Sequence, residues 1–175
     1  VSYIEGYDTD TLREIVNLGE CRERLDEIGP QRSLPALLER VWLLKVLDEL
    51  DDALAVSEQS VRVARMAGTR KDLLRARILH ATVLHWRGAL GAADHELTMC
   101  ADEAEGQNWA GIAAFAYQHR AKVRFDGDDL EGARVDFKRT LFLRQEAGAS
   151  ETELQSTLLL IDAIDRHRAR VDVAI

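Results

Sequence analysis

Residues 48–54 read DELDDAL, residues 88–94 read GALGAAD, and residues 128–134 read DDLEGAR. Leu50, Leu90 and Leu130 fall in register, as do Ala53, Ala93 and Ala133, at a spacing of 40 residues. Little else is kept between the three stretches. Gly68, Asn108 and Gly148 hold the same spacing. Glycine and asparagine tolerate the left-handed backbone that closes a helix, so these positions are predicted to end the second helix of each unit, with Gly106 a rival stop for the middle one.

Outward from these stretches the pattern is helical. Two prolines in 175 residues leave few interruptions, and neither an Asn-Gly hairpin signal nor sustained apolar/polar alternation marks a strand. The first helix is predicted over 8–28, with Leu12, Ile15, Val16, Cys21, Leu25 and Ile28 on one face, Asp8 or Asp10 as N-cap and Gly29-Pro30 as stop. A helix capped by Ser33 follows, then one ending at Gly68. Helices over 70–87, 91–105, 109–125 and 130–147 come next, the first with Leu74, Ile78, Ala81 and Leu84 on a stripe. The last runs from Ser150, its cap, to about Arg170, with Leu154, Leu158, Ile161, Ala163 and Ile164 inward. Eight helices make one domain: an N-terminal half repeat or cap over 1–32, repeats over 33–68, 69–108 and 109–148, and a C-terminal half repeat or cap over 149–175.

A hairpin of about 40 residues has an apolar face that it cannot bury alone, and stacking neighbours completes the core. The conserved interval follows from that. Ala53, Ala93 and Ala133 are expected where paired helices approach too closely for a larger side chain. Leu50, Leu90 and Leu130 are expected to plug the turn between the helices. A bundle around one shared core would require no fixed interval.

At these residues the chain resembles the tetratricopeptide repeat family in its long-helix form. With the repeat alanine at 53, 93 and 133, the family's small position falls on Val41, Ala81 and Ala121, its Tyr position on Leu44, Leu84 and Arg124, and its Phe position on Ser57, Leu97 and Phe137. Its Trp position holds Leu37, Arg77 and Tyr117. The normally apolar Leu position holds Arg40, His80 and Arg120, and the terminal Pro is replaced by Arg65, Glu105 and Gln145. The resemblance covers about 33–170 and implies a right-handed superhelix of stacked antiparallel hairpins, an all-α solenoid. It also implies a concave surface on the first helices that holds a peptide or a partner helix. Carried over by position, that surface includes Trp42, Lys45, Arg75, Ile78, Thr82, His85, Trp86, Gln118, Lys122 and Phe125.

Charge bears on the same helices. Residues 70–87 carry Arg70, Lys71, Arg75, Arg77 and Arg87 against Asp72 alone, whereas 91–105 carry Asp94, Glu96, Asp102, Glu103 and Glu105 with no Lys or Arg. Basic inner helices in a chain of net charge −8 suggest a groove for an acidic protein or peptide, and weigh against direct nucleic-acid binding. Solvated faces and inter-helix ion pairs are the structural reading of the same charges.

Chemistry is hard to find. His80 and His85 diverge by about 140° on a helix, too far for one metal ion, and His95, His119 and His167 stand alone. No Gly-rich phosphate loop, Gly-x-Ser-x-Gly or His-Glu-x-x-His occurs, and Asp51-Asp52 and Asp128-Asp129 suit helix starts. The expectation is a non-catalytic binding scaffold with no cofactor and no metal. A ligand- or peptide-sensing segment of a larger bacterial signalling or transcription-regulatory protein is the alternative, and the Val1 start with its half unit favours a chain cut from something larger. No stretch approaches the roughly 18 apolar residues of a membrane span. Cys21 and Cys100, far apart, read as buried thiols of a reduced, cytoplasmic protein. A homodimer through the Leu- and Ile-rich last helix completes the expected partners.

Overall fold

The computed structural model describes residues 3–174. These form two short strands, β1 (Ile4–Tyr7) and β2 (Glu14–Val16), and eight helices: α1 (Leu18–Ile28), α2 (Leu34–Val46), α3 (Leu50–Ala67), α4 (Arg70–Trp86), α5 (Leu90–Gly106), α6 (Ala110–Asp126), α7 (Leu130–Glu146) and α8 (Glu151–Val173). The fold is all-α apart from the two-stranded sheet that opens it. Helices α3, α5 and α7 begin at Leu50, Leu90 and Leu130, so the 40-residue interval is a spacing of helix starts.

The expected helix over 8–28 is corrected at its first half. Asp8 does cap, but a turn rather than a helix: its carboxylate accepts from the Asp10 and Thr11 backbone N–H groups at 2.8 and 2.9 Å. Leu12 then takes a left-handed backbone, φ 58°, and is fully buried, whereas Ile15 is exposed. The true N-cap of α1 is Asn17, which accepts from Glu20 N–H at 3.1 Å. Leu12, Ile15 and Val16 fit a helical stripe by spacing alone; the left-handed Leu12, strand β2 and the Asn17 cap keep them outside α1.

The chain divides into two compact units. The first comprises residues up to Glu5 together with Glu14–Glu96, the second Gly6–Arg13 together with the residues from Leu97 onward. In the first, α1 packs on α2, α2 on α3 and on α4, and α3 on α4. Cys21 and Ile28 of α1 meet Ala36, Leu43 and Val46 of α2; Val41 and Leu44 of α2 meet Ala53 of α3 and Val83 of α4. In the second, α6 packs on α7 and α7 on α8, with Ala121, Ala133, Phe137, Leu160 and Ile164 closing around Leu12. Each large apolar side chain so buried contributes about 1.5–3 kcal/mol. Ala53, Ala93 and Ala133 are all fully buried.

Ser33 and Ser150 cap α2 and α8 as expected. The inward stripe of α8 is shifted from the expected one: Thr157, Leu160, Ala163 and Ile164 are buried, while Leu158 and Leu159 are 43% and 39% exposed.

Helix ends reveal a second periodicity. Asp48 N–H donates to Lys45 O (3.0 Å) and Glu49 N–H to Leu44 O (2.9 Å). The same pair of bonds recurs at Gly88/Ala89, Asn108/Trp109, Asp128/Asp129 and Gly148/Ala149. This is the Schellman arrangement, in which a left-handed residue just past the helix satisfies its last carbonyls. Asp48, Gly88, Asn108, Asp128 and Gly148 all have φ between 56° and 83°. Of the three predicted left-handed stops, Asn108 and Gly148 have that geometry and Gly68 does not, with φ −91° and ψ 171°. Gly68 serves a close approach instead, since a Cβ there would lie 2.8 Å from Ala64 O.

Left-handed backbone costs an ordinary side chain about 1–2 kcal/mol. Gly88→Ala is therefore expected to lower stability by about 1 kcal/mol, and Asp128→Gly to raise it by about 0.5 kcal/mol. Urea unfolding of both variants checks the opposed signs.

Candidate functional site

The ten residues predicted to line the groove fall in both units and differ in exposure. Lys45 is 1% exposed, and Ile78, Thr82, His85, Gln118 and Lys122 are also buried. Trp42, Trp86 and Phe125 are half-buried, and only Arg75 stands in solvent, 3.5 Å from Asp72. The residues preceding α1 cover several of them, and neighbouring helices contact others.

In the first unit Lys45 and Trp86 come together, and Trp42 packs against the α1–α2 core. The Lys45 ammonium lies 5.1 Å from the Trp86 ring centroid and 4.0 Å from the Glu14 carboxylate, and Tyr3 stacks on Trp42 with ring centroids 6.2 Å apart. In the second unit Lys122 and Phe125 of α6 both meet the segment and helix that surround Leu12. The Lys122 ammonium sits 4.8 Å from the Tyr7 ring, Phe125 meets His167 edge-on at 4.9 Å, and Leu12 packs beside Phe125. His167 Nε2 lies 3.1 Å from the Thr9 carbonyl, and Arg170 lies 3.6 Å from Asp10. A cation facing an aromatic ring in a partly dry site contributes about 0.5–2 kcal/mol. In the second unit the stretch GYDTDTLR (6–13) thus supplies a tyrosine to Lys122 of α6, a helix expected to take an acidic peptide, a leucine to the core and a carboxylate to Arg170 of α8.

Other members of the predicted set have structural work. Gln118 accepts a hydrogen bond from Arg144, which also donates to the Glu153 carbonyl (3.1 Å) and to Thr157 Oγ1 (2.5 Å), tying α6, α7 and α8 together. Thr82 donates to Leu79 O within its own helix. Arg40, His80 and Arg120, spaced 40 residues apart, act alike. Arg40 donates to the Gly29 and Gln31 carbonyls, His80 Nδ1 meets Ser57 Oγ at 2.9 Å, and Arg120 forms a two-pronged bond to Asp136 at 2.8 and 2.7 Å. Each joins its helix to the preceding or following element.

Cys21 and Cys100 are buried and form no disulfide, and burial raises the Cys21 pKa, which suppresses the reactive thiolate. Among the described residues no helix is long and apolar enough to cross a membrane. No set of three or more His, Cys, Asp or Glu side chains among them is placed to hold a metal ion.

No known family model matches the sequence, and no curated protein matches it either.

Sequence reasoning missed the covering segment because its carboxylates were assigned to a helix cap. The signal was the apolar side chains Tyr3, Tyr7 and Leu12 set among them. The Arg120–Asp136 pair was equally invisible, since neither residue is near the other in sequence. Asp136 is 1% exposed and also faces Arg124 at 3.2 Å. Removing one partner of such a pair strands a buried charge, so Asp136→Ala is expected to cost about 3–5 kcal/mol. Thermal and urea unfolding check this; a loss under about 1 kcal/mol would mean the pair behaves as a surface one.

Proposed function

We propose that the chain is a non-catalytic scaffold of the tetratricopeptide type, whose inner helices hold an extended acidic segment of a protein partner. The observation carrying this reading is the way the second unit holds residues 6–13. Lys122 of α6 faces Tyr7, Arg170 of α8 faces Asp10, and Leu12 enters the core between α6, α7 and α8. A cation for an aromatic ring, a cation for a carboxylate and a slot for leucine are what recognition of a short acidic peptide requires. The 40-residue hairpin interval supports the family reading, and the basic composition of α4 and α6 supports the sign of the partner's charge.

A second reading makes the chain a ligand-sensing segment of a larger bacterial signalling or transcription-regulatory protein. A cleft in the first unit favours it, and its chemistry is set out below.

In the scaffold reading, the chain's own segment competes with any added peptide at a high effective concentration. A fluorescent peptide of residues 3–16 is therefore expected to bind the intact chain weakly. It should bind a Leu12→Ala variant at least about tenfold more tightly, an advantage of roughly 1.4 kcal/mol. Adding Lys122→Glu should remove the gain. Fluorescence anisotropy measures all three, with circular dichroism confirming the fold and Tyr7→Ala replacing Leu12→Ala should the latter unfold. Equal affinity for the intact chain and the loosened variant would contradict the reading.

A further inference from the structure

Within the first unit, α3, α4 and the first turns of α5 enclose a cleft of about 480 Å³. That is within the range of small-molecule sites, roughly 300–1,000 Å³. Val61 and Leu84 give it apolar wall. Arg62 and Arg65 of α3 and His95 of α5 line it as well, and all three are exposed. None of the three has a hydrogen bond, ion pair or ring contact among the described residues. Arg77 is engaged across the cleft, its Nε bonded to Glu96 at 2.6 Å, which ties α4 to α5. Glu58 is the remaining carboxylate on the wall, so the two open arginines exceed it in charge.

His80 gives the cleft a hydrogen-bonding group of determined sense. Ser57 Oγ has a single proton and donates it to the Leu54 carbonyl at 2.8 Å. The 2.9 Å contact between Ser57 Oγ and His80 Nδ1 therefore has the imidazole as donor. Burial lowers the His80 pKa below its ordinary value, which favours the neutral ring at neutral pH. In that tautomer Nε2 carries a lone pair. No partner for it exists among the described residues, and His80 lines the cleft.

We propose that this cleft binds a small organic anion, a carboxylate or phosphate monoester on a short apolar body, with its head on Arg62 and Arg65 and a hydroxyl donated to His80 Nε2. Guanidinium groups present paired N–H donors that match carboxylate and phosphate oxygens. Val61 and Leu84 cover the carbon chain. The site differs in position and in ligand class from the helix surfaces that hold residues 6–13, so either can be lost without the other.

Four probes are titrated into the intact chain while the imidazole signals of His80 and His95 are followed by NMR: 6-hydroxyhexanoate, hexanoate, 6-hydroxyhexyl phosphate and inorganic phosphate. The expected result is saturable shifts at both histidines with the hydroxylated anions. Hexanoate should bind at least about threefold more weakly than 6-hydroxyhexanoate, a difference of roughly 0.6 kcal/mol, and inorganic phosphate should leave the His80 signal unmoved. The carboxylate and phosphate arms identify the preferred head group. An Arg62→Glu/Arg65→Glu double variant, altered only at exposed positions, should keep its circular dichroism spectrum and lose affinity at least tenfold. His80→Gln should abolish the preference for the hydroxyl. The proposal is overturned by absence of saturable shifts with every organic probe, by unchanged affinity in the arginine double variant, or by equal binding of inorganic phosphate. Equal binding of hexanoate and 6-hydroxyhexanoate overturns the role given to His80.

Discussion

The structure depends on how its helices end. A helix leaves its last carbonyls unbonded, and folding is penalised when they are buried without a partner. Here a left-handed residue just past the helix turns the chain so that two following N–H groups reach back to those carbonyls. The device recurs at Asp48, Gly88, Asn108, Asp128 and Gly148. Asp48, Gly88 and Asp128 are the first residues of the three stretches whose Leu and Ala are held in register. The turn sets where the next helix begins, and the next helix begins on that leucine. Three residues later an alanine is fully buried in all three cases. The interval is therefore kept by backbone geometry and by one small side chain, while the exposed positions vary.

Polar side chains reinforce the packing where the repeat pattern expects apolar ones. Arg40, His80 and Arg120 occupy one position in successive repeats, and each bonds to a neighbouring element: loop carbonyls, Ser57 and Asp136 respectively. Burying a guanidinium or an imidazole is unfavourable unless its N–H groups are bonded, and each has such a partner. The same requirement fixes the His80 tautomer, because Ser57 has already committed its proton to Leu54.

Much of this was legible beforehand. The 40-residue interval, the eight helices, the Ser33 and Ser150 caps and the burial of Ala53, Ala93 and Ala133 follow from periodicity and local capping chemistry, which depend on residues a few positions apart. What escaped was non-local. Residues 8–16 carry apolar spacing that fits a helix, and only the pairing of β1 with β2 and the burial of Leu12 against α6, α7 and α8 decide otherwise. The groove residues were placed by analogy of position, with no means of knowing that Tyr3, Tyr7 and Glu14 would lie against Trp42, Lys122 and Lys45. On α8 a stripe drawn through Leu154 and Leu158 missed Thr157, whose hydroxyl bonds to Glu153 O and to Arg144 and so lets a polar residue take the inward place.

Ala53, Ala93 and Ala133, each fully buried three residues into its helix's start at Leu50, Leu90 and Leu130, are held to be places where no larger side chain fits. Substituting leucine at each in turn, with the exposed Ala55→Leu as control, and measuring unfolding free energy in urea tests this most directly. Overpacking should cost about 1–3 kcal/mol at each of the three, against a change within about 0.5 kcal/mol for the control. Leucine accepted at any of the three positions as readily as at residue 55 would contradict the account.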